Sequence, residues 1–329
     1  MELELLDPPT SAGGGEHPEH VNGTLWPVTD DLAYMRTAIV NLFFYGRPGA
    51  GDRGWVLIDT GLYGFTHRIV AAAAERFGEG ARPSCIVMTH GHFDHIGTVR
   101  ELAELWDVPV YAHELELPYL TGRSAYPPPD PTVGGGAMAM LSWTYPRGPI
   151  DLGERARRLP EDHTVPGMPG WRWVHTPGHT AGHVSLFRDA DRTLVVGDAF
   201  VTTKQESLIS AITQRREMHG PPAYFTPDWA SSRRSVERLA ALEPEVAATG
   251  HGVPMRGEEL RRELHRLARD FDRLAVPDHG RYVDRPAVAD ETGVVSVPPA
   301  TGAERTAILV GLGATVLAGV VIARLLRDR

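Results

Sequence analysis

Short apolar runs and longer amphipathic stretches alternate along most of the chain. Apolar runs of strand length fall at 39–45, 55–59, 85–89, 108–112, 171–176, 183–188, 193–197 and 246–249. Helical spacing appears at 66–77, 96–106, 229–242 and 257–274. In the last of these Leu260, Leu264, Leu267 and Phe271 share one face and charged residues fill the other. Strands and helices mixed in this way predict sheets covered by helices, with the chemistry on loops at strand ends.

Several stretches break the pattern. Residues 124–150 carry three consecutive prolines and three consecutive glycines around a Met- and Trp-bearing piece, which reads as a loop over a pocket. Residues 275–306 are rich in Pro, Gly and Asp without a sustained period and read as a linker, in which GRYV is the piece able to pack back on the body. Ala307 to Ala323 contains no charge and is followed by arginines. Counted to residue 326 it makes a helix of about 20 residues and roughly 30 Å, a candidate transmembrane span over 307–326. Gly311, Thr315, Gly319 and Ala323 recur every four residues, a small-residue stripe that lets two such helices approach and is compatible with a homodimer. The N-terminus has acidic residues where a signal peptide needs basic ones and no apolar core follows. The expectation is therefore a flexible arm over 1–20, a catalytic domain over 21–274 facing the cytoplasm, and a C-terminal hydrophobic helix as membrane anchor.

Composition narrows the partners. A chain of 329 residues with 42% hydrophobic and 23% charged residues is ordinary for a globular protein. The net charge of −9, with no long block of Lys or Arg, argues against a nucleic-acid surface. One cysteine, Cys85, excludes internal disulfides and Cys-rich zinc sites; inside the run CIVMT it reads as an inert core thiol.

Every cluster of potential ligands follows an apolar run. IDTG (58–61), THGHFDH (89–95), HTPGHTAGH (175–183), GDAF (197–200) and TGHG (249–252) are five polar, glycine-containing turns, and donors placed there converge on one edge of the sheets. His90 and His92, two apart in extended backbone, point the same way, whereas Asp94 and His95 sit where the helix of Ile96 and Val99 begins. One tight segment can face two adjacent ions. Imidazole and carboxylate suit zinc, and also iron or manganese.

On these motifs the chain resembles the metallo-β-lactamase superfamily of metallohydrolases, nearest in style to its glyoxalase II and lactonase branches. His90-x-His92-x-Asp94-His95 is followed in order by the ligands of the other family motifs, from Asp59 to His251. The resemblance implies an α+β fold, a four-layer αββα sandwich, and two divalent ions, zinc foremost. One ion would take His90, His92 and His179, the other Asp94, His95 and His251, with Asp198 bridging them. Asp59 matches the family's buried aspartate that orients a ligand, and His183 falls behind His179 as a supporting residue. Two such ions hold a shared hydroxide by lowering the pKa of water from 15.7 to near neutrality. The expected reaction is hydrolysis of a small-molecule acyl substrate, an ester, lactone or thioester, with Asp94 holding or relaying the proton. Residues 200–229 follow Asp198 and would line the pocket mouth, where Lys204 or Arg215 would fix an anionic group and Tyr224 would donate to the oxyanion. A glutathione thioester fits less well, because glyoxalase II enzymes usually carry a separate C-terminal helical domain and 252–274 offers one long helix. The rival readings are a single-iron sulfur dioxygenase on the same fold, a phosphodiesterase disfavoured by the acidic balance, and a metal-binding protein without activity, which closed four-ligand zinc sites would suit better.

Overall fold

A computed structural model of the chain describes residues 25–309. Its first sheet runs in the order β1 (Leu25–Thr29), β2 (Leu32–Thr37), β3 (Val40–Tyr45), β4 (Val56–Ile58), β5 (Cys85–Val87), β6 (Val110–Ala112) and β7 (Ala156–Arg158). β1 to β4 pair antiparallel and β4 to β7 pair parallel. The second sheet contains β8 (Trp171–His175), β9 (Val184–Arg188), β10 (Thr193–Gly197), β11 (Val246–Thr249) and β12 (Met255–Arg256), antiparallel throughout except for the parallel pair β10 and β11. A separate hairpin joins β13 (Val288–Asp290) to β14 (Gly293–Ser296).

Strand alternation divides the core into three, which gives four layers. Val56, Ile58, Cys85 and Val87 face Trp171, Val184, Leu186, Val195 and Ala248 between the two sheets. The opposite faces of the first sheet, through Leu57 and Ile86, pack on Ile69, Phe77, Val99 and Leu102 of the helices Thr66–Phe77 and Val99–Trp106. Those of the second sheet, through Phe187, Leu194, Val196 and Ala247, pack on Val236, Leu239, Leu260 and Leu264 of the helices Trp229–Ala240 and Gly257–Arg269. Period-2 strands sandwiched between amphipathic helices thus produce the expected αββα order. Cys85 is buried between the sheets, and burial pushes its thiol up to about 12.

All eight strands expected from the sequence are present, and six more are added. β2 has every residue buried, so no alternation marks it, and β1 contains Pro27. The helix expected over 257–274 is broken at Asp270, whose φ of −109° and ψ of 23° are not helical, and resumes at Phe271–Leu274.

The linker expected over 275–306 is instead packed structure. Besides the β13–β14 hairpin it holds Tyr282, which is buried, and a buried ion pair between Arg281 and Glu304. The Tyr282 hydroxyl donates to the Pro128 carbonyl at 2.5 Å. GRYV therefore does pack back on the body. The arm at 1–20 lies outside the described residues, as does the apolar span 307–326 from residue 310 onward. Among the described residues no helix is long and apolar enough to cross a membrane.

Candidate metal centre

Parallel neighbours deliver loops to the same edge of a sheet. β4 and β5 lie side by side, so Asp59 and the turn from His90 to His95 emerge together. β10 and β11 do the same on the second sheet for Asp198 and His251. His179 comes from the turn between β8 and β9. The structure brings all seven sequence-selected residues into three overlapping groups: His90, His92 and His179; His90, His95 and Asp198; and Asp94, His95 and His251. Within each group the donor atoms lie within 4.8 Å of one another.

The contacts are close and buried. His92 Nδ1 is 2.9 Å from His179 Nε2. Asp198 Oδ2 is 3.0 Å from His251 Nε2 and 3.5 Å from His179 Nε2, while its Oδ1 is 3.5 Å from His95 Nε2. Asp94 Oδ2 is 3.4 Å from His251 Nε2. His90 Nε2, His95 Nε2 and Asp198 Oδ1 are buried without any hydrogen-bond partner. Buried polar atoms in folded proteins almost always have partners. Three orphaned donors on residues gathered in one group fit a divalent cation, and two flanking groups that share His90 and His95 fit a pair.

Charge around the cluster is strongly perturbed. Burial, reinforced by neighbouring imidazoles, holds His90 and His179 well below the ordinary histidine value, and burial takes His92 down to about 3. These rings are neutral, the form that ligates metals. Burial also works against a charged His95, but Asp198 and Asp59 outweigh it and raise its pKa well above the usual value; against the same burial, Asp198 and Asp94 raise His251. Burial raises Asp94. For Asp198 burial acts upward too, but His251 and His95 win and hold it well below the carboxylate range.

Surrounding hydrogen bonds aim the donors. Asp59 accepts from the Thr89 N–H at 2.8 Å, the Thr89 hydroxyl at 2.7 Å and His95 Nδ1 at 2.9 Å. The Thr89 hydroxyl meets His90 Nδ1 at 3.1 Å. His183, the supporting residue, accepts the Asp198 N–H on Nε2 at 2.8 Å while its Nδ1 meets the Thr176 hydroxyl at 2.8 Å. His251 Nδ1 lies 2.7 Å from the Ile39 carbonyl, and His179 Nδ1 lies 3.3 Å from the Thr226 hydroxyl. Each ligand candidate except His92 and the carboxylates thus presents one ring nitrogen to a protein oxygen and the other to the cluster.

Sequence reasoning missed Glu116. It is fully buried and accepts from the Gly91 N–H at 3.0 Å, the Gly182 N–H at 2.9 Å, the Thr180 hydroxyl at 2.7 Å and the Tyr126 hydroxyl. One carboxylate ties the His90–His95 turn to the turn carrying His179. Burial pushes it up to about 7 against those four donors. Its position just beyond a strand end was the available signal.

Three sequence candidates are placed differently. Lys204 lines a separate cleft with Glu206, His219 and Leu274, not the pocket that opens beside His92 and His179. Tyr224 is buried in the outer core, and burial with Asp94 nearby raises its pKa well above the ordinary value, yet it does not line that pocket. The turn Ala223–Phe225 presents Phe225 there instead, stacked on His92 with ring centroids 4.5 Å apart. Arg215 does not line it either. The loop 124–150 does, through Tyr126, Pro127 and Pro128.

Comparison with known proteins agrees with this geometry. A model of the Metallo-beta-lactamase superfamily matches residues 37–251. A Bacillus subtilis (strain 168) protein, probable metallo-hydrolase YflN, is 49% identical over 234 residues, which cover 71% of this chain and 88% of the relative. The hydroxyacylglutathione hydrolase of Acidiphilium cryptum (strain JF-5) is 27% identical over 252 residues, 76% of this chain and 79% of that one. Among solved structures, a beta-lactamase domain protein from Burkholderia ambifaria aligns over 77% of each chain with a TM-score of 0.53 and 21% identity, a likeness of fold alone. With its family motifs gathered at one sheet edge and more than half its length matched, the chain belongs to the metallo-beta-lactamase superfamily.

Proposed function

We propose that this protein is a metal-dependent hydrolase that holds two divalent ions, zinc foremost, and cleaves a carboxylic ester, lactone or thioester. His90, His92 and His179 would hold one ion and Asp94, His95 and His251 the other, with Asp198 between them. A divalent pair supplies an activated water near neutral pH and a Lewis acid for the acyl carbonyl. The observation that carries the reading is the set of three buried, unpartnered donor atoms on His90, His95 and Asp198.

The chain's own groups do the rest. Asp59 and Thr89 fix the rings of His95 and His90, and His183 holds the Asp198 turn. Asp94 is the most exposed of the seven and is suited to hold the proton bound for the leaving group. Phe225, Tyr126 and Tyr282 give the pocket beside His92 and His179 an aromatic lining. Similarity to the probable metallo-hydrolase YflN and to the hydroxyacylglutathione hydrolase supports hydrolysis, the latter of a thioester.

The test is metal analysis with hydrolysis on one preparation of the full chain. Stripping with a chelator should abolish cleavage of ester, lactone and thioester panels, and zinc should restore it. His92→Ala and Asp94→Ala should each lose about one ion. Unchanged stoichiometry in both would refute the site. One iron per chain with oxygen uptake would select the sulfur dioxygenase reading.

A further inference from the structure

Beside the candidate centre opens a cavity of about 320 Å³, at the small end of the range for ligand pockets. Its floor is His92 and His179, and its walls are aromatic: Tyr119, Tyr126, Phe225 and Tyr282. Among the described residues no Lys or Arg lines it. The one carboxylate in its wall, Asp228, is engaged elsewhere, capping the helix Trp229–Ala240 by accepting the Ser231 N–H at 2.9 Å and the Ser231 hydroxyl at 2.6 Å. His175 is likewise engaged, its Nε2 lying 2.8 Å from the Ala181 carbonyl. An anionic substituent placed along these walls, away from the His92–His179 floor, would lose its water without gaining a Lys or Arg partner.

The remaining wall comes from residues beyond the family match. Pro286, Ala287, Val288 and Ala289 close the pocket, although the matched region ends at 251. This strap is held in place at several points. The Arg281 N–H donates to Asp130 at 2.6 Å, Arg281 Nε donates to Glu304 at 2.8 Å, and the Ala287 N–H donates to the Pro227 carbonyl at 3.0 Å. The Ser124 hydroxyl accepts the Val294 N–H at 3.0 Å. A wall ordered before the ligand arrives selects by shape at little entropic cost.

We propose that this pocket takes an uncharged, apolar acyl group and that the strap 286–289 determines specificity for it. The proposal rests on the hydrolase reading and names the substrate class of that site: neutral, hydrophobic acyl esters, lactones or thioesters, in preference to glutathione conjugates or acyl groups ending in carboxylate.

Zinc-loaded full-length protein should be assayed with p-nitrophenyl acetate, p-nitrophenyl hexanoate and the mono-p-nitrophenyl ester of adipic acid, which ends in a carboxylate. Binding of hexanamide should be measured alongside by calorimetry. The hexanoate should exceed the adipate ester at least tenfold in kcat/KM. Ala289→Trp should lower the hexanoate-to-acetate ratio at least tenfold and abolish hexanamide binding, with zinc content unchanged. Val288 is 49% exposed, so Val288→Lys should fold even if the tryptophan variant does not, and it should favour the adipate ester at least fivefold relative to wild type. Equal rates on hexanoate and adipate esters, or ratios unmoved by both variants, would overturn the inference while leaving the hydrolase reading standing. Hexanamide binding that Ala289→Trp removes, without cleavage of any ester, would uphold the pocket and sink the hydrolase reading.

Discussion

Replacing Asp59 with Asn tests how the centre is aimed. Asp59 has a φ of +57°, a left-handed conformation that Asn tolerates far better than Ala, so the backbone should hold. The wild-type carboxylate accepts three hydrogen bonds: Oδ1 from the Thr89 N–H at 2.8 Å, and Oδ2 from the Thr89 hydroxyl at 2.7 Å and His95 Nδ1 at 2.9 Å. The amide NH2 cannot face the Thr89 N–H without leaving a buried donor unpaired, at a cost of about 1–3 kcal/mol. It therefore turns toward the hydroxyl and the imidazole, both of which can accept. His95 then accepts on Nδ1 and carries its proton on Nε2, the atom otherwise orphaned in the cluster. The Thr89 hydroxyl, now an acceptor from the introduced amide, is free to donate to His90 Nδ1 at 3.1 Å, which moves a second proton onto His90 Nε2. One substitution thus blocks two ligand nitrogens. Loss of such an orienting partner weakens metal binding by about 10–100-fold; with two rings affected we expect the upper end, about 2.8 kcal/mol. Chelator competition with zinc gives the affinity, and thermal unfolding of the metal-free protein reports whether the fold survived. Thr89→Val, which removes the hydroxyl between Asp59 and His90 but leaves the Asp59 contact to His95, should lose less. Affinity of Asp59→Asn within threefold of wild type would refute the relay.

Glu116 predicts a pH dependence with a definite sign. Its folded pKa of about 7 exceeds the ordinary 4.5, so the folded chain binds more protons between those values and stability falls as pH rises through that window. The loss is on the order of 3 kcal/mol; Glu116→Gln should lack it. Urea unfolding at pH 5 and pH 8 should show wild type losing stability relative to the variant, and a parallel response would show that the four donors outweigh burial. At Gly250 the close approach of the chain leaves no room for a side chain, because a Cβ there would lie 2.0 Å from Asp198 Oδ1 and 2.8 Å from His95 Cε1. Gly250→Ala should therefore weaken zinc binding at least tenfold, and unchanged affinity by chelator competition would contradict the placement of Asp198.

The parts legible in the sequence are those whose cause is local. A ligand turn must follow a strand end, and period-2 or helical spacing marks the elements that bury a face, so His90 to His95, His179, Asp198 and His251 stand out beside the strands that position them. What escaped reading is set by contacts between distant positions. Glu116 looks like its neighbour Glu114 in the sequence, and only folding brings Gly91, Tyr126, Thr180 and Gly182 to one of them and leaves the other facing Arg158 on the surface. Phe225 and Tyr224 are adjacent aromatics, and the short turn Ala223–Phe225 decides which of them meets His92. The strap has the same origin. Proline, glycine and aspartate obscure any period over 275–306, yet Tyr282 reaches Pro128 and Arg281 reaches Asp130 across about 150 residues. Catalytic machinery is written in short motifs because several donors must sit within a few ångströms of one point. A pocket wall has no such requirement, since any apolar surface of the right shape serves, and so it leaves no motif to find.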